Sequence, residues 1–398
     1  MSREQSLIAN WGLPNRMLIG PGRLQELPLL CNELGFKAPL LVTDCGLANL
    51  PMVTGTLKAL TDAGLDADLF ADVEGNPTGR MVEAGVAAYR AGGHDSVVAL
   101  GGGSGLDVGK AIAFMAGQTR PIWDFEDIGD YWKRADPEGI APVIAIPTTA
   151  GTGSEVGRAA VISNEAELRK VIVFHPRMLP VTVILDPELT TGLPAPVTAA
   201  TGLDAFIHCF EAYCAPGFHP ICDGIALEGM RLVARALPVA YQDGHNLKAR
   251  TEMLAAASMG AIAFQKGLGG VHAISHAVGA MYRTHHGLTN AIVLPYVMVH
   301  NRDHIEDRMK PIAQVVGLAE TSFEAVLQWV LAFRRDLGIP HTLAELDVPL
   351  DQAKEVGRLA AEDPSAAGNP RSVDANDLET IFRNAVQGKL PRARWATD

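Results

Sequence analysis

Cysteine is scarce: Cys31, Cys45, Cys209, Cys214 and Cys222 are the only five in 398 residues. An odd number with no CxxC pair argues against a disulfide framework or a zinc ribbon and leaves most of them as buried thiols. Basic residues are also in deficit, 33 Lys and Arg against 45 Asp and Glu, for a formal charge of −12 with no basic stripe. That balance disfavours a nucleic-acid backbone or an anionic membrane surface as partner and favours small molecules. No run of about eighteen apolar residues occurs, so no membrane-spanning helix is expected. The opening MSREQSLIANWGLP lacks a basic region followed by an apolar run and a small-residue cleavage site, which makes a cytoplasmic location the expectation. There is no repeat of fixed period and no low-complexity tract. What is present, 48% hydrophobic and 20% charged residues, is the composition of a folded protein, long enough for two or three domains.

Up to residue 187, short β-branched runs alternate with amphipathic stretches: APLLVTD (38–44), DSVVALGGG (95–103), APVIAIPTT (141–149) and VTVILDP (181–187). Strands alternating with helices predict a parallel sheet covered on both faces. From residue 188 onward the strand-like runs disappear. Ala/Leu-rich helical periodicities such as GIALEGMRLVARAL (224–237) take over and predict an all-α C-terminal domain over 188–398. The junction is DPELTTGLPAP (186–196), where Pro187, Gly192, Pro194 and Pro196 break both periodicities. A cleft between two domains is the usual place for a ligand. The charged and aromatic stretch from Asp124 to Pro137 reads as a surface excursion.

Val97-Val98-Ala99-Leu100 runs into Gly101-Gly102-Gly103-Ser104-Gly105, and Asp107 and Lys110 open the helix that follows. A strand delivered through glycines to a helix start points N–H groups and the positive end of the dipole at one spot, which suits a pyrophosphate. The glycines do not fit GxGxxG, since Leu106 stands at the sixth position, and a tight βα turn without a ligand reads the same way. Asp44 ends the earlier strand LLVTD, where a carboxylate can bond a ribose diol and repel a 2′-phosphate, favouring NAD over NADP. A turn or capping aspartate is the alternative. Pro147-Thr148-Thr149-Ala150-Gly151-Thr152-Gly153-Ser154-Glu155 is a second strand-to-loop segment, dense in hydroxyls and able to contact a phosphate or nicotinamide. Together these make residues 1–187 an α/β dinucleotide-binding domain.

In TGLDAFIHCFEAY, Asp204 and His208 are four apart and share one helix face. GLGGVHAISHAVGAMYRTHHGLTNAIVLP repeats that spacing at His272 and His276, with His285 and His286 after a break. A lone histidine on an apolar face is usually a hydrogen-bonded core residue. Several grouped imidazoles are costly to bury unpaired, whereas one Asp and three neutral His form a mixed N/O set suited to Fe2+ or Zn2+ and too nitrogen-rich for Mg2+ or Ca2+. The spacing leaves open which three histidines bind, and which of the two metals.

LIGPGRLQELP, VTD, EGNPT (74–78), GGGSGLDVGKA, PTTAGTGSEV, VILDPEL, GLDAFIHCFEAY, GLGGVHAISH and HHGLTNAIVLP together resemble the iron-containing, group III alcohol dehydrogenase family over nearly the whole chain. The resemblance implies two domains with NAD(P) in the cleft and a metal held by Asp204, His208, His272 and His286. It implies that His276 stands beside the metal and relays a proton. It places Asp44, Asn76, Gly102, Gly103, Ser104, Thr148, Thr149, Thr152 and Lys170 around the dinucleotide.

The chain departs from the family pattern at Gly157-Arg158, where a threonine is common, at His285, where proline is usual, and at Phe264-Gln265-Lys266, where an asparagine is common. The first and third bear on the substrate pocket. Arg158 and Lys266 are candidates to hold an anionic end group, giving a small semialdehyde as substrate; side chains resting in water at the rim are the alternative. The expected activity is hydride transfer between NAD(H) and a small primary alcohol or aldehyde, in a homo-oligomer. A dehydroquinate-synthase-like lyase and a catalytically inactive cofactor-binding protein are the competing readings.

Overall fold

The computed structural model describes residues 15–390 apart from Leu168. The chain divides into two compact units, one running up to Gly192 and the other from Leu193 onward.

Among the described residues the first unit holds eight strands: β1 (Arg16–Ile19), β2 (Pro39–Val42), β3 (Asp68–Phe70), β4 (Ser96–Gly101), β5 (Val143–Pro147), β6 (Ala159–Asn164), β7 (Arg169–Phe174) and β8 (Thr182–Leu185). Its helices are α1 (Leu27–Glu33), α2 (Pro51–Asp62), α3 (Gly79–Ala91) and α4 (Gly103–Met115). Six strands form one sheet in the order β1-β8-β5-β4-β2-β3, with every neighbouring pair parallel. A parallel sheet needs both faces covered, and β4 meets that requirement residue by residue. Val98 and Leu100 pack with Leu30, Val53 and Leu60 of α1 and α2, whereas Val97 and Ala99 pack with Tyr89, Val108 and Ile112 of α3 and α4. The parallel sheet expected from the β-branched runs is therefore present.

Two sequence segments turn out to serve this sheet. The buried carboxylate of Asp186, at the end of VILDPEL, accepts the N–H groups of Gly22 (3.2 Å) and Leu24 (2.9 Å) from LIGPGRLQELP. It ties the turn after β1 to the end of β8.

Strands β6 and β7 stand apart as an antiparallel hairpin. Alternate residues Ala160, Ile162, Val171 and Val173 are buried with Phe114 and Phe125. The stretch 124–137 runs in short 3-10 turns with most of its residues exposed or half-buried, but Phe125 is fully buried, edge-on to Phe114 at 4.9 Å, so the surface excursion is anchored in the core.

Among the described residues the second unit contains only helices: α5 (Ala195–Cys214), α6 (Pro220–Gln242), α7 (Leu247–Ala263), α8 (Gly270–Tyr282), α9 (His286–Val315), α10 (Phe323–Asp336), α11 (Ala353–Glu362) and α12 (Ala375–Gln387), with short 3-10 turns between them. Seventeen of the twenty residues of α5 are buried, which makes it the central helix of the unit and puts its polar side chains in a dry environment. No helix among the described residues is long and apolar enough to cross a membrane.

Candidate functional site

In the sheet the chain leaves β2 for β3 on one side and returns to β4 on the other. At such a reversal the loops leaving the carboxyl ends of the two strands diverge and open a crevice, the usual ligand position of a doubly wound sheet. Asp44 and the glycine turn occupy this point. Asp44 follows β2, and a Cβ built on Gly101 would stand 3.5 Å from its Oδ2. Half-buried, its carboxyl is pushed up by desolvation, while the Leu47 N–H donating at 3.2 Å opposes that rise.

The loop after β5 closes on the same turn. The Thr148 N–H donates to the Gly101 carbonyl (2.9 Å), Thr149 lies beside Gly102, and a Cβ on Gly103 would meet Thr152 Cγ2 at 2.7 Å. The missing side chain at 103 gives Thr152 its place against the start of α4, where Ser104 lies half-buried in the first turn. Asp107 and Lys110 hold the loop in place. The Asp107 carboxylate accepts Ser154 Oγ (2.5 Å) and the Val161 N–H (3.0 Å), and the buried Lys110 ammonium donates to the carbonyls of Ser154 (2.9 Å) and Ala159. Asn76 has left-handed backbone, φ 57°, a conformation that asparagine tolerates. The next residue, Pro77, accepts the Ser163 N–H at 2.7 Å, and Ser163 faces Lys170 across the hairpin. The hairpin thus brings Lys170 toward the loop that carries Asn76.

In the second unit, Asp204 and His208 project from α5, His272 from α8 and His286 from the first turn of α9. Each can offer one ligand atom so that all four lie within 4.8 Å of one another. Asp204 Oδ1 is 3.9 Å from Nε2 of His208, 3.8 Å from that of His272 and 3.7 Å from that of His286. Four tetrahedral ligands bonded at about 2.0–2.2 Å stand roughly 3.3–3.6 Å apart, so these separations fit a divalent ion with little movement. The Asn290 Nδ2 group donates to Asp204 Oδ1 at 2.7 Å and lies 3.2 Å and 3.1 Å from Nε2 of His272 and His286, so lone pairs of the set converge on one small region. An N/O donor set of this kind suits Fe2+ or Zn2+.

Two carboxylates set ring orientations nearby. Glu211 Oε2 accepts His272 Nδ1 at 2.5 Å; burial opposes charge on that imidazole, and Glu211 outweighs it, holding its pKa above the ordinary value. Asp363 Oδ2 accepts His276 Nδ1 at 2.8 Å. Burial opposes ionisation of Asp363, and the charge and hydrogen bond of His276 outweigh it and hold the carboxyl low. The His276 ring stacks on His286 at 5.2 Å, and its Nε2 has no hydrogen-bond partner among the described residues.

Family models for "Iron-containing alcohol dehydrogenase" match residues 14–187 and for "Fe-containing alcohol dehydrogenase family, C-terminal" residues 198–386. The chain is 33% identical to the NAD-dependent methanol dehydrogenase of Bacillus methanolicus, over 95% of this chain and all of that protein. It is 37% identical to the 4-hydroxybutyrate dehydrogenase of Cupriavidus necator, over 92% of this chain and 96% of that one. The crystal structure of a 1,3-propanediol oxidoreductase superposes with a TM-score of 0.90 at 35% identity, covering 95% of this chain and all of that one. The chain belongs to the iron-containing alcohol dehydrogenase family.

Within this family member, the side chains singled out for an anionic substrate have different surroundings. The Lys266 side chain is 2% exposed, and its ammonium pairs with Asp223 Oδ1 (2.5 Å) and donates to the Tyr213 carbonyl (3.2 Å). Burial pushes its pKa down and Asp223 partly restores it. Arg158 is half-buried just ahead of β6, its guanidinium 6.0 Å from the centre of the Phe174 ring. His285 is exposed and caps α9, its Nδ1 accepting the Leu288 N–H at 3.3 Å. Glu211, Asn290 and Asp363 were not among the residues expected from sequence. Glu211 follows His208 by three positions and Asn290 follows His286 by four, spacings that share a helix face. Asp363 is 87 residues from His276 and carries no local signal.

Proposed function

We propose that this protein is an NAD-dependent, metal-containing alcohol dehydrogenase that interconverts a small primary alcohol and its aldehyde. The observation that carries the reading is the convergence of Asp204, His208, His272 and His286 within 4.8 Å, in a chain whose other unit gathers Asp44, Gly102, Gly103, Thr148, Thr149 and Thr152 at the reversal of a doubly wound sheet. Those four residues hold the metal, Fe2+ in our reading, with Zn2+ as the alternative. When bound, the ion supplies Lewis acidity toward the substrate oxygen and the nicotinamide supplies or takes the hydride.

The protein's own groups do the rest. The start of α4 offers its free N–H groups to the pyrophosphate, and Asp44 accepts from the ribose diol and turns away a 2′-phosphate. His276 passes the hydroxyl proton through Nε2, because Asp363 engages Nδ1 and fixes the tautomer. The methanol and 4-hydroxybutyrate enzymes named above act on short primary alcohols, the second carrying a terminal carboxylate. For an anionic substrate Arg158 remains the candidate partner; Lys266 is left out, because its ammonium is committed to Asp223.

The deciding experiment loads purified protein with Fe2+ or Zn2+ and follows loss of NADH absorbance with a panel of short aldehydes. Metal-dependent oxidation of NADH, abolished by a chelator, is the expected outcome. No turnover with any aldehyde under either metal would overturn the reading.

A further inference from the structure

Helix α5 carries more than two ligand candidates. Asp204, His208 and Glu211 fall at i, i+4 and i+7, share one face and are all buried. Glu211 reaches across to α8, where Oε2 accepts His272 Nδ1 at 2.5 Å and Oε1 accepts the Val271 N–H at 2.8 Å. Val271 is the second residue of α8, and the first N–H groups of a helix have no partner inside it. One carboxylate therefore binds a helix-start donor and the ring of the adjacent residue together.

We infer that Glu211 is a positioning residue for His272: its carboxylate fixes the proton on Nδ1 and keeps the Nε2 lone pair turned toward Asp204, His208 and His286. The inference rests on the ligand set proposed above. An ionised carboxylate only accepts, so a ring nitrogen bonded to it must carry a proton, and in the neutral imidazole that a metal requires the other nitrogen is left bare. A glutamate that merely capped the helix would need one oxygen, and here the second is engaged at a charge-assisted distance. The neighbouring glycine makes room for this. A Cβ on Gly269 would lie 2.8 Å from Glu211 Oε1 and 3.0 Å from Asn369 Oδ1, although its extended backbone (φ −149°) suits any residue. Asn369 takes the next free donor, the Gly270 N–H, at 3.0 Å. Gly269 thus keeps the space in which two side chains share the start of α8.

The full-length protein, stripped of metal and titrated with Zn2+ against a chromophoric chelator, gives the test. An amide has one acceptor for two donors. In Glu211→Gln, oxygen on the Val271 N–H leaves the NH2 group facing His272 Nδ1 and drives the proton to Nε2. Zn2+ affinity should fall about ten- to a hundredfold, while NADH binding is unchanged. Gly269→Ala, which keeps the carboxylate and displaces it, should weaken Zn2+ binding in the same direction and supplies the test if the first variant does not fold. A purely structural role would lower the melting temperature of the metal-free protein and leave the Zn2+ affinity at the parental value. Parental affinity in both variants, against loss in His272→Ala, overturns this inference alone; parental affinity in His272→Ala overturns the ligand set and the inference with it.

Discussion

Replacing Asp363 by Asn probes the proton path without touching a proposed ligand. Asp363 has one oxygen on His276 Nδ1 at 2.8 Å, and Oδ1 accepts the Ser365 N–H at 2.8 Å. Both partners are donors, and an asparagine has only one oxygen to offer. With that oxygen on Ser365, the amide NH2 faces His276, whose Nδ1 must then present a lone pair, and the proton moves to Nε2. A hydrogen bond to a charged group contributes about 1.5–3 kcal/mol, so kcat for aldehyde reduction should fall roughly ten- to a hundredfold. Steady-state turnover, metal content by elemental analysis and NADH binding by fluorescence separate the causes. The expected pattern is a low kcat with metal and NADH binding intact. The reasoning fails if kcat stays within about threefold of the parent, or if Asp363→Asn slows a His276→Ala background as much as it slows the parent, since a residue that works through His276 has nothing left to orient there.

Other outcomes follow from the same geometry. His272→Ala and His286→Ala should each release the metal and abolish turnover while NADH still binds; elemental analysis at parental occupancy would contradict this. Asp44→Gly should relax the preference for NAD, read as the ratio of kcat/KM for the two cofactors, whereas a turn aspartate would change only the melting temperature. Lys266→Met leaves the Asp223 carboxylate with Arg308 at 3.2 Å as its remaining ion-pair partner. That carboxylate is partly exposed and still paired, so the melting temperature should drop by no more than a few degrees, with no change in selectivity between charged and uncharged aldehydes. Arg158→Met should erase any advantage of an ω-carboxylated aldehyde over an uncharged one of equal length, judged by kcat/KM.

The four β-branched runs foretold β2, β4, β5 and β8 because buried parallel strands need apolar residues on both faces, a demand that composition alone reveals. β1 escaped notice: RMLI spans four residues with a single buried position, and its partner β8 lies more than a hundred and sixty residues away. The β6–β7 hairpin alternates buried and half-buried positions, the pattern of a strand covered on one face, and was readable in principle. The histidines stood out since i, i+4 pairs on apolar helices demand a partner. Their supporting carboxylates did not, for Asp363 reaches His276 through tertiary structure. Lys266 shows the opposite limit: a formal charge in a sequence says nothing of depth, and Asp223, 43 residues earlier, decides that this ammonium faces inward.

The tie from Asp186 to Gly22 and Leu24 has a temporal side. It joins residues 164 apart, and the strand made first in this sheet pairs only with the strand made last. At about 5–20 residues per second, a ribosome needs on the order of ten to thirty seconds to reach Asp186 after β1 has emerged. Throughout that interval β8 does not yet exist to pair with β1, and the turn that follows β1 lacks its carboxylate. Pairing at such sequence separation is slow because the chain loses loop entropy before any contact compensates. Docking of β1 on the sheet edge is thus expected late in this unit's folding, and a nascent chain halted before β8 would present β1 as an open strand to chaperones or to other chains.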